Sequence, residues 1–214
     1  MRYKIFKIMG ILNVTPDSFS DGGLFLDTFE AIKQVDRMVE NNVDIVDIGG
    51  ESTRPNAPAV STEEELQKVI PIVREIRKIY PQLTISVDTT KYEVAKAALD
   101  EGADIINDVS GLQFNESLAE LVANYNAGLI IMHMKGTPRD MQDNPEYDDV
   151  VQEVYDFLDK QTLIARSNGV EKIWIDVGIG FGKKIKHNLE LLKNLDKFNN
   201  LNYPQVLGIS RKSL

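Results

Sequence analysis

Polar residues stand at the ends of several short apolar runs in this 214-residue chain: Asn13, Asp47, Asp88, Asn107 with Asp108, His133, Asp176, and Ser210 with Lys212. Asp88 follows Thr84-Ile-Ser-Val. A carboxylate leaving an apolar strand needs donors or a positive partner, and a ligand rich in N–H groups supplies them. Its other reading is an N-cap for a helix starting near Lys91. Asn107 offers a donor and an acceptor, which suits the edge of a heterocycle, or else it forms a turn. Asp108 reads as structural. Asp176 opens the run Asp-Val-Gly-Ile-Gly-Phe-Gly182, where a carboxylate can accept two parallel N–H bonds and the glycines permit close approach. Phe181 either flanks an aromatic substrate or packs in the core.

A second group suits anions. Gly49-Gly-Glu-Ser-Thr-Arg-Pro55 follows the second apolar run. Its Arg54 can clamp a carboxylate or phosphate bidentately, with Thr53 adding a hydroxyl; a surface Arg in a turn is the alternative. Ser210-Arg-Lys-Ser213 follows the last run, where barrel folds often bind anions. We read Lys212 as its inward-facing charge. Asn13 can offer its side-chain oxygen to a hard cation such as Mg²⁺, which takes few protein ligands alongside waters and phosphates. His133 reads as a structural residue before a general base. Lys183 and Lys184 read as solvated charges.

Composition narrows the chemistry. With no cysteine, disulfides, thiolate metal sites and cysteine nucleophiles are excluded, and two histidines are too few for a histidine-rich metal site. A net charge of −9 argues against general nucleic-acid or membrane binding, so an anionic substrate needs a local basic pocket. Residues 1–7 lack the apolar core of a signal peptide. No apolar run reaches the roughly 18 residues of a membrane span. The expected compartment is the cytoplasm.

The elements that must position these groups alternate. Strands are expected at Ile8–Val14, Asp44–Ile48, Thr84–Val87, Ile105–Asp108, Leu129–Met132, Ile173–Val177 and Gln205–Ile209. Helices are expected near Thr28–Asn41, Thr62–Tyr80, Lys91–Glu101, Glu116–Asn126, Pro145–Asn168 and His187–Leu195. Ser61 and Glu64 fit a capping box, and Gly102 and Gly169 fit left-handed helix ends. Val151, Val154, Leu158 and Ala165 give the fifth helix one apolar face. Pro71 predicts a kink or two shorter helices. Near-continuous apolar strands indicate a parallel sheet covered on both faces, hence α/β. The absence of GxGxxG after the first strand and the polar strand ends favour a TIM (β/α)8-type barrel. Such a barrel has eight units and about 250 residues. With only seven strands present, residues 1–214 read as a single barrel domain lacking the last helix-strand-helix.

Met9–Gly23 and Asp47–Pro55 together resemble the signatures of the dihydropteroate synthases. Asp88, Asn107-Asp-Val-Ser-Gly111, Met132-His-Met-Lys-Gly-Thr-Pro138, Asp176–Gly182 and Ser210–Ser213 follow in that family's order. The resemblance covers Ile8 to Leu214. It implies a transferase of folate biosynthesis that condenses 6-hydroxymethyl-7,8-dihydropterin diphosphate with 4-aminobenzoate, giving 7,8-dihydropteroate and diphosphate.

The resemblance further implies that Asp88, Asn107, Asp176 and Lys212 hold the pterin, with Asp88 and Lys212 catalytic. It implies that Asn13 contacts Mg²⁺ and the diphosphate. Thr53, Arg54, Phe181 and Ser210 then lie near the aminobenzoate, and loops around Asp17–Phe25 and Ser52–Pro58 close over the reaction. A homodimer is the expected assembly. Two departures stand out: Val177 replaces a usual Pro, and the Arg and His that relatives carry on an eighth strand have no counterpart. Three readings stay open: a synthase seen as a fragment, a truncated pterin-binding barrel that does not turn the pterin over or needs a partner to complete it, and a pterin-dependent methyltransferase. Ser52-Thr-Arg-Pro55 and Ser210–Ser213 speak against the last.

Overall fold

The structure, a computed structural model, describes residues 6–14, 23–52, 59–137, 141 and 144–209. These fall into two compact units, one reaching Ser52 and resuming from Ala59 to Ile106, the other beginning at Asn107.

In the first unit, β1 (Met9–Asn13), β2 (Ile45–Gly49) and β3 (Thr84–Asp88) pair in parallel and in chain order. The helices α1 (Gly23–Glu40), α2 (Thr62–Ile79) and α3 (Tyr92–Asp100) alternate with them. β4 (Ile105–Asp108) lies where the unit ends. Side chains alternate across a strand, and the register converts that alternation into two faces. Leu12, Val46, Ile48, Ile85 and Val87 share one face and are fully buried, as are Ala31, Val35, Val69, Val73, Ile76, Val94, Ala95 and Ala98 of the three helices. The opposite face carries Asn13, Asp47, Ser86 and Asp88.

The expected capping box is present: Ser61 accepts from the Glu64 N–H at 3.2 Å and Glu64 accepts from the Ser61 N–H at 3.0 Å. That backbone donor is the main reason the Glu64 carboxyl is held below its ordinary pKa. Glu63, Glu64 and Glu65 in the first turn of α2, with Arg77 and Lys78 in the last, complement the helix dipole. Pro71 does not divide α2, which runs unbroken from Thr62 to Ile79. Burial of Val69, Ile72, Val73 and Ile76 on either side of it offsets the lost backbone bond. At the start of β3, the Arg77 guanidinium donates to the carbonyls of Pro81, Leu83 and Gly102 and to Asp104. Gly102 has φ +92°, the left-handed end its sequence position implied.

The second unit continues with α4 (Ser117–Asn124), β5 (Gly128–Met132), α5 (Val150–Ser167), β6 (Lys172–Asp176), α6 (Ile185–Lys193), a 3-10 helix Leu195–Leu201 and β7 (Gln205–Val206). β5, β6 and β7 again pair in parallel and in order. Val151, Val154, Leu158 and Ala165 are all buried, as the spacing required. α5 begins later than expected because Asp149 caps it, accepting from the Val151 and Gln152 N–H groups at 3.0 Å. β7 is shorter than Gln205–Ile209 because its partner runs out: Val206 pairs with Asp176, where β6 ends. Seven strands alternating with helices, each unit pairing consecutive strands in parallel, make this an α/β fold of the (β/α)8-barrel type.

Candidate active-site elements

The first unit brings two expected site residues into one row. Asn13 pairs with Gly49, and Gly49 with Asp88, at the carboxyl ends of three adjacent strands. Residues paired this way point to the same face, so Asn13 and Asp88 flank the glycine. Asn13 is exposed and Asp88 half-buried. One step earlier, Asp47 and Ser86 lie buried on that face. Asp88 is not an N-cap: the cap of α3 is Lys91, without a side-chain capping bond. The capping alternative for Asp88 is thereby removed.

Beside this row is a partly buried ionic cluster. Lys91 Nζ donates to Glu51 at 2.5 Å and to Glu65, which is buried in α2. Burial works against the ammonium, but the two carboxylates more than offset it and raise the Lys91 pKa. Glu51 also accepts from the Val60 N–H at 3.2 Å. It therefore joins the two described stems around residues 53–58.

In the second unit, Asn107 is half-buried at the end of β4, and the neighbouring Asp108 is fully buried. Asp108 builds a turn, as expected of a structural residue. Its Oδ1 accepts from Ser110 N–H and Oγ at 2.8 and 2.6 Å, and its Oδ2 from Leu112 N–H at 2.6 Å. Burial raises its pKa against the pull of those donors.

Asp176 ends β6 opposite Met132. Its Oδ1 accepts from Gly178 N–H at 2.7 Å, which opens the glycine loop. Gly180 N–H donates to Asn188 at 3.0 Å, and the Tyr147 hydroxyl donates to the Gly182 carbonyl at 2.7 Å. Val177 is buried. Phe181 packs with Val109, Met132, Met134 and Met141, leaving 6% of its surface exposed.

Lys183 reverses its expectation. It is buried, not solvated, and its Nζ lies within 3.1 Å of the carbonyls of His133, Gly178 and Phe181 and of His133 Nδ1. Three ammonium protons thus face four acceptors. His133 is buried edge-on to Phe157, their rings 4.9 Å apart. Burial first, and Lys183 second, depress its pKa to about 2. A neutral imidazole engaged in this way is a structural acceptor, not a base poised near neutrality.

Residues 9–214 match the family described as Pterin binding enzyme. The dihydropteroate synthase of Haemophilus influenzae is 48% identical over 211 residues, 97% of this chain and 76% of that protein. The Xanthomonas albilineans dihydropteroate synthase solved with 4-aminobenzoic acid is 43% identical, with a TM-score of 0.88 over 96% of this chain and 73% of that one. The same enzyme in complex with 7,8-dihydropteroate gives 40% identity and a TM-score of 0.84, with the same shares covered. The chain belongs to the dihydropteroate synthase family.

Of the residues that the family motifs single out, Asn13 and Asp88 lie together in the first unit, and Asn107, Asp176 and Phe181 in the second. Thr53, Arg54, Ser210 and Lys212 fall outside the described residues, as does most of the loop after β1. Among the described residues no group of three or more His, Cys, Asp or Glu could hold a metal ion. A single exposed Asn suits a cation carried mainly by phosphate and water. Sequence reasoning missed three features. Lys183 carries no signal separating it from Lys184. Glu51, Glu65 and Lys91 are too far apart in sequence to suggest a cluster. Gly49 was visible only as one half of a Gly-Gly pair.

Proposed function

We infer that this chain performs the reaction of its family, joining the methylene carbon of 6-hydroxymethyl-7,8-dihydropterin diphosphate to the amine of 4-aminobenzoate. The row Asn13–Gly49–Asp88 carries the reading: a carboxylate and a hard oxygen donor sit on one face at strand ends, with no side chain between them. Neighbouring strands are about 4.8 Å apart, and Asp88 Oδ2 and Asn13 Oδ1 lie 3.6 and 3.8 Å from where a Cβ on Gly49 would stand. That closeness suits a substrate whose ring meets one group and whose diphosphate meets the other across a single linking carbon.

In this reading the C–O bond to the diphosphate breaks and its electron pair leaves with the diphosphate. The charge left on the methylene carbon spreads into the pterin ring. Anionic Asp88, accepting a ring N–H, stabilises that charge as it develops. Asn107, Asp176 and Lys212 orient the ring, Asp176 with one oxygen already fixed by Gly178. The amine nitrogen of 4-aminobenzoate then forms the new C–N bond and releases one proton. Thr53, Arg54, Phe181 and Ser210 position that second substrate. Asn13 would offer its side-chain oxygen to Mg²⁺, which would supply positive charge to the diphosphate leaving group. By the same family resemblance we read the protein as a cytoplasmic homodimer. Among the described residues no helix is long and apolar enough to cross a membrane.

The test is chromatographic detection of dihydropteroate made from the two substrates. Asp88→Asn should lower kcat by about a hundredfold or more, the usual scale for removing one transition-state partner. Undiminished turnover in Asp88→Asn would remove its role; no product from the unsubstituted protein would remove the function.

A further inference from the structure

Nothing among the described residues demands a glycine at position 49. A Cβ built on it would stand 3.6 Å from Asp88 Oδ2, 3.7 Å from Asp88 Cβ and 3.8 Å from Asn13 Oδ1, all ordinary contact distances among the described residues. Its backbone is not among the glycines with positive φ. Glycine within a strand is less favourable than alanine, because it loses more freedom on folding and has nothing to pack.

Its neighbour is the contrast. A Cβ on Gly50 would lie 2.7 Å from Val69 Cγ2 and 2.9 Å from Glu65 Cγ, so close packing against α2 requires that glycine. Gly111 is required twice over: its φ is +58° and a Cβ would come 2.5 Å from the Met132 carbonyl oxygen. Gly49 has neither reason. What a side chain there would occupy is the space on the polar face between Asn13 and Asp88.

We propose that Gly49 is a substrate-positioning residue whose missing side chain keeps open the place of the reacting methylene carbon. The proposal rests on the functional reading above. With the ring held at Asp88 and the diphosphate at Asn13, the bond that breaks lies over the strand between them. Backbone at that point lets the carbon settle to the depth of both partners. A methyl group would lift it from them, and a misplacement of about 1 Å can cost on the order of a hundredfold in rate.

The experiment compares Gly49→Ala, Gly49→Val and Gly50→Ala with the unsubstituted protein, measuring thermal midpoint, pterin diphosphate binding by calorimetry, and steady-state kinetics. Gly49→Ala should keep or raise the midpoint yet lower kcat/KM for the pterin diphosphate at least tenfold, with Gly49→Val lower still. The KM for 4-aminobenzoate should change less than threefold. Gly50→Ala should lower the midpoint. Two results overturn the proposal: unchanged kinetics in Gly49→Ala, or a fall in its midpoint matching that of Gly50→Ala. If the unsubstituted protein neither binds the pterin diphosphate nor turns it over, the functional reading fails and takes this proposal with it. If that protein is active and Gly49→Ala equals it, only the proposal fails.

Discussion

Lys183 Nζ lies 2.9 Å from Nδ1 of His133, and both side chains are almost wholly removed from solvent. The contact ties the loop after β6 to the chain leaving β5, and it fixes the ring's protonation. With Nδ1 facing the ammonium, the proton of the neutral imidazole belongs on Nε2.

The acid sensitivity of folding should carry the mark of this ring. His133 has its pKa depressed to about 2 when folded, against about 6.5 in the unfolded chain. The unfolded state therefore binds the extra proton throughout that window. The ring's contribution is complete above about pH 6.5 and is lost progressively as pH falls toward 2. His133→Gln keeps an acceptor for Lys183 and cannot take up a proton. Urea unfolding at pH 7.5, 6 and 5 should show a shallower decline for this variant; parallel curves would contradict the assignment.

Lys183→Met should weaken both fold and function. It removes the donor shared by three carbonyls and an imidazole in a buried position. Leaving such acceptors unpaired should cost about 3 kcal/mol, read as a lower urea midpoint. The freed loop holds Phe181 and follows Asp176 directly, so KM for the pterin diphosphate should rise more than kcat falls. A Lys184→Met control, at a half-buried neighbour, should change neither by as much. Equal effects at the two positions would deny Lys183 its clamping role.

Lys91→Met should uncover an electrostatic conflict. Glu51 and Glu65 would then face each other across a partly buried space without their shared cation. Stability should fall by about 2 kcal/mol, because removing one partner strands the others. Adding Glu65→Gln should restore part of it, which denaturant titration of the single and double variants would measure. No recovery in the double variant would show that the three groups do not act as a unit.

The parts of the fold legible in the sequence were those set by short-range rules. Ser61 with Glu64 and Gly102 appear as their local chemistry requires, and the polar strand ends place Asn13 and Asp88 correctly at carboxyl ends. Other expectations yielded to a local cap, to burial, or to partners distant in sequence. Asp149 stops α5 from extending back to Pro145, although the apolar period alone does not reveal the cap. Of the two alternatives at Pro71, division into shorter helices is the one the unbroken α2 rules out. Lys183 is solvated by composition and buried by geometry, because its acceptors at His133 lie fifty residues earlier in the chain. The roominess at Gly49 becomes visible only once register sets Asn13 and Asp88 beside it.

Arg77 holds the opposite end of β3. Its guanidinium gathers the carbonyls of Leu83 and Gly102 with Asp104, whose carboxylate also accepts from Ile85 N–H. Ile85 is three residues from Asp88, roughly 10 Å along β3. The strand is thus moored at its beginning and used at its tip. A substitution at the tip should leave these hydrogen bonds in place. In evolutionary terms, Arg77 makes β3 a place where chemistry can be revised without renegotiating the fold.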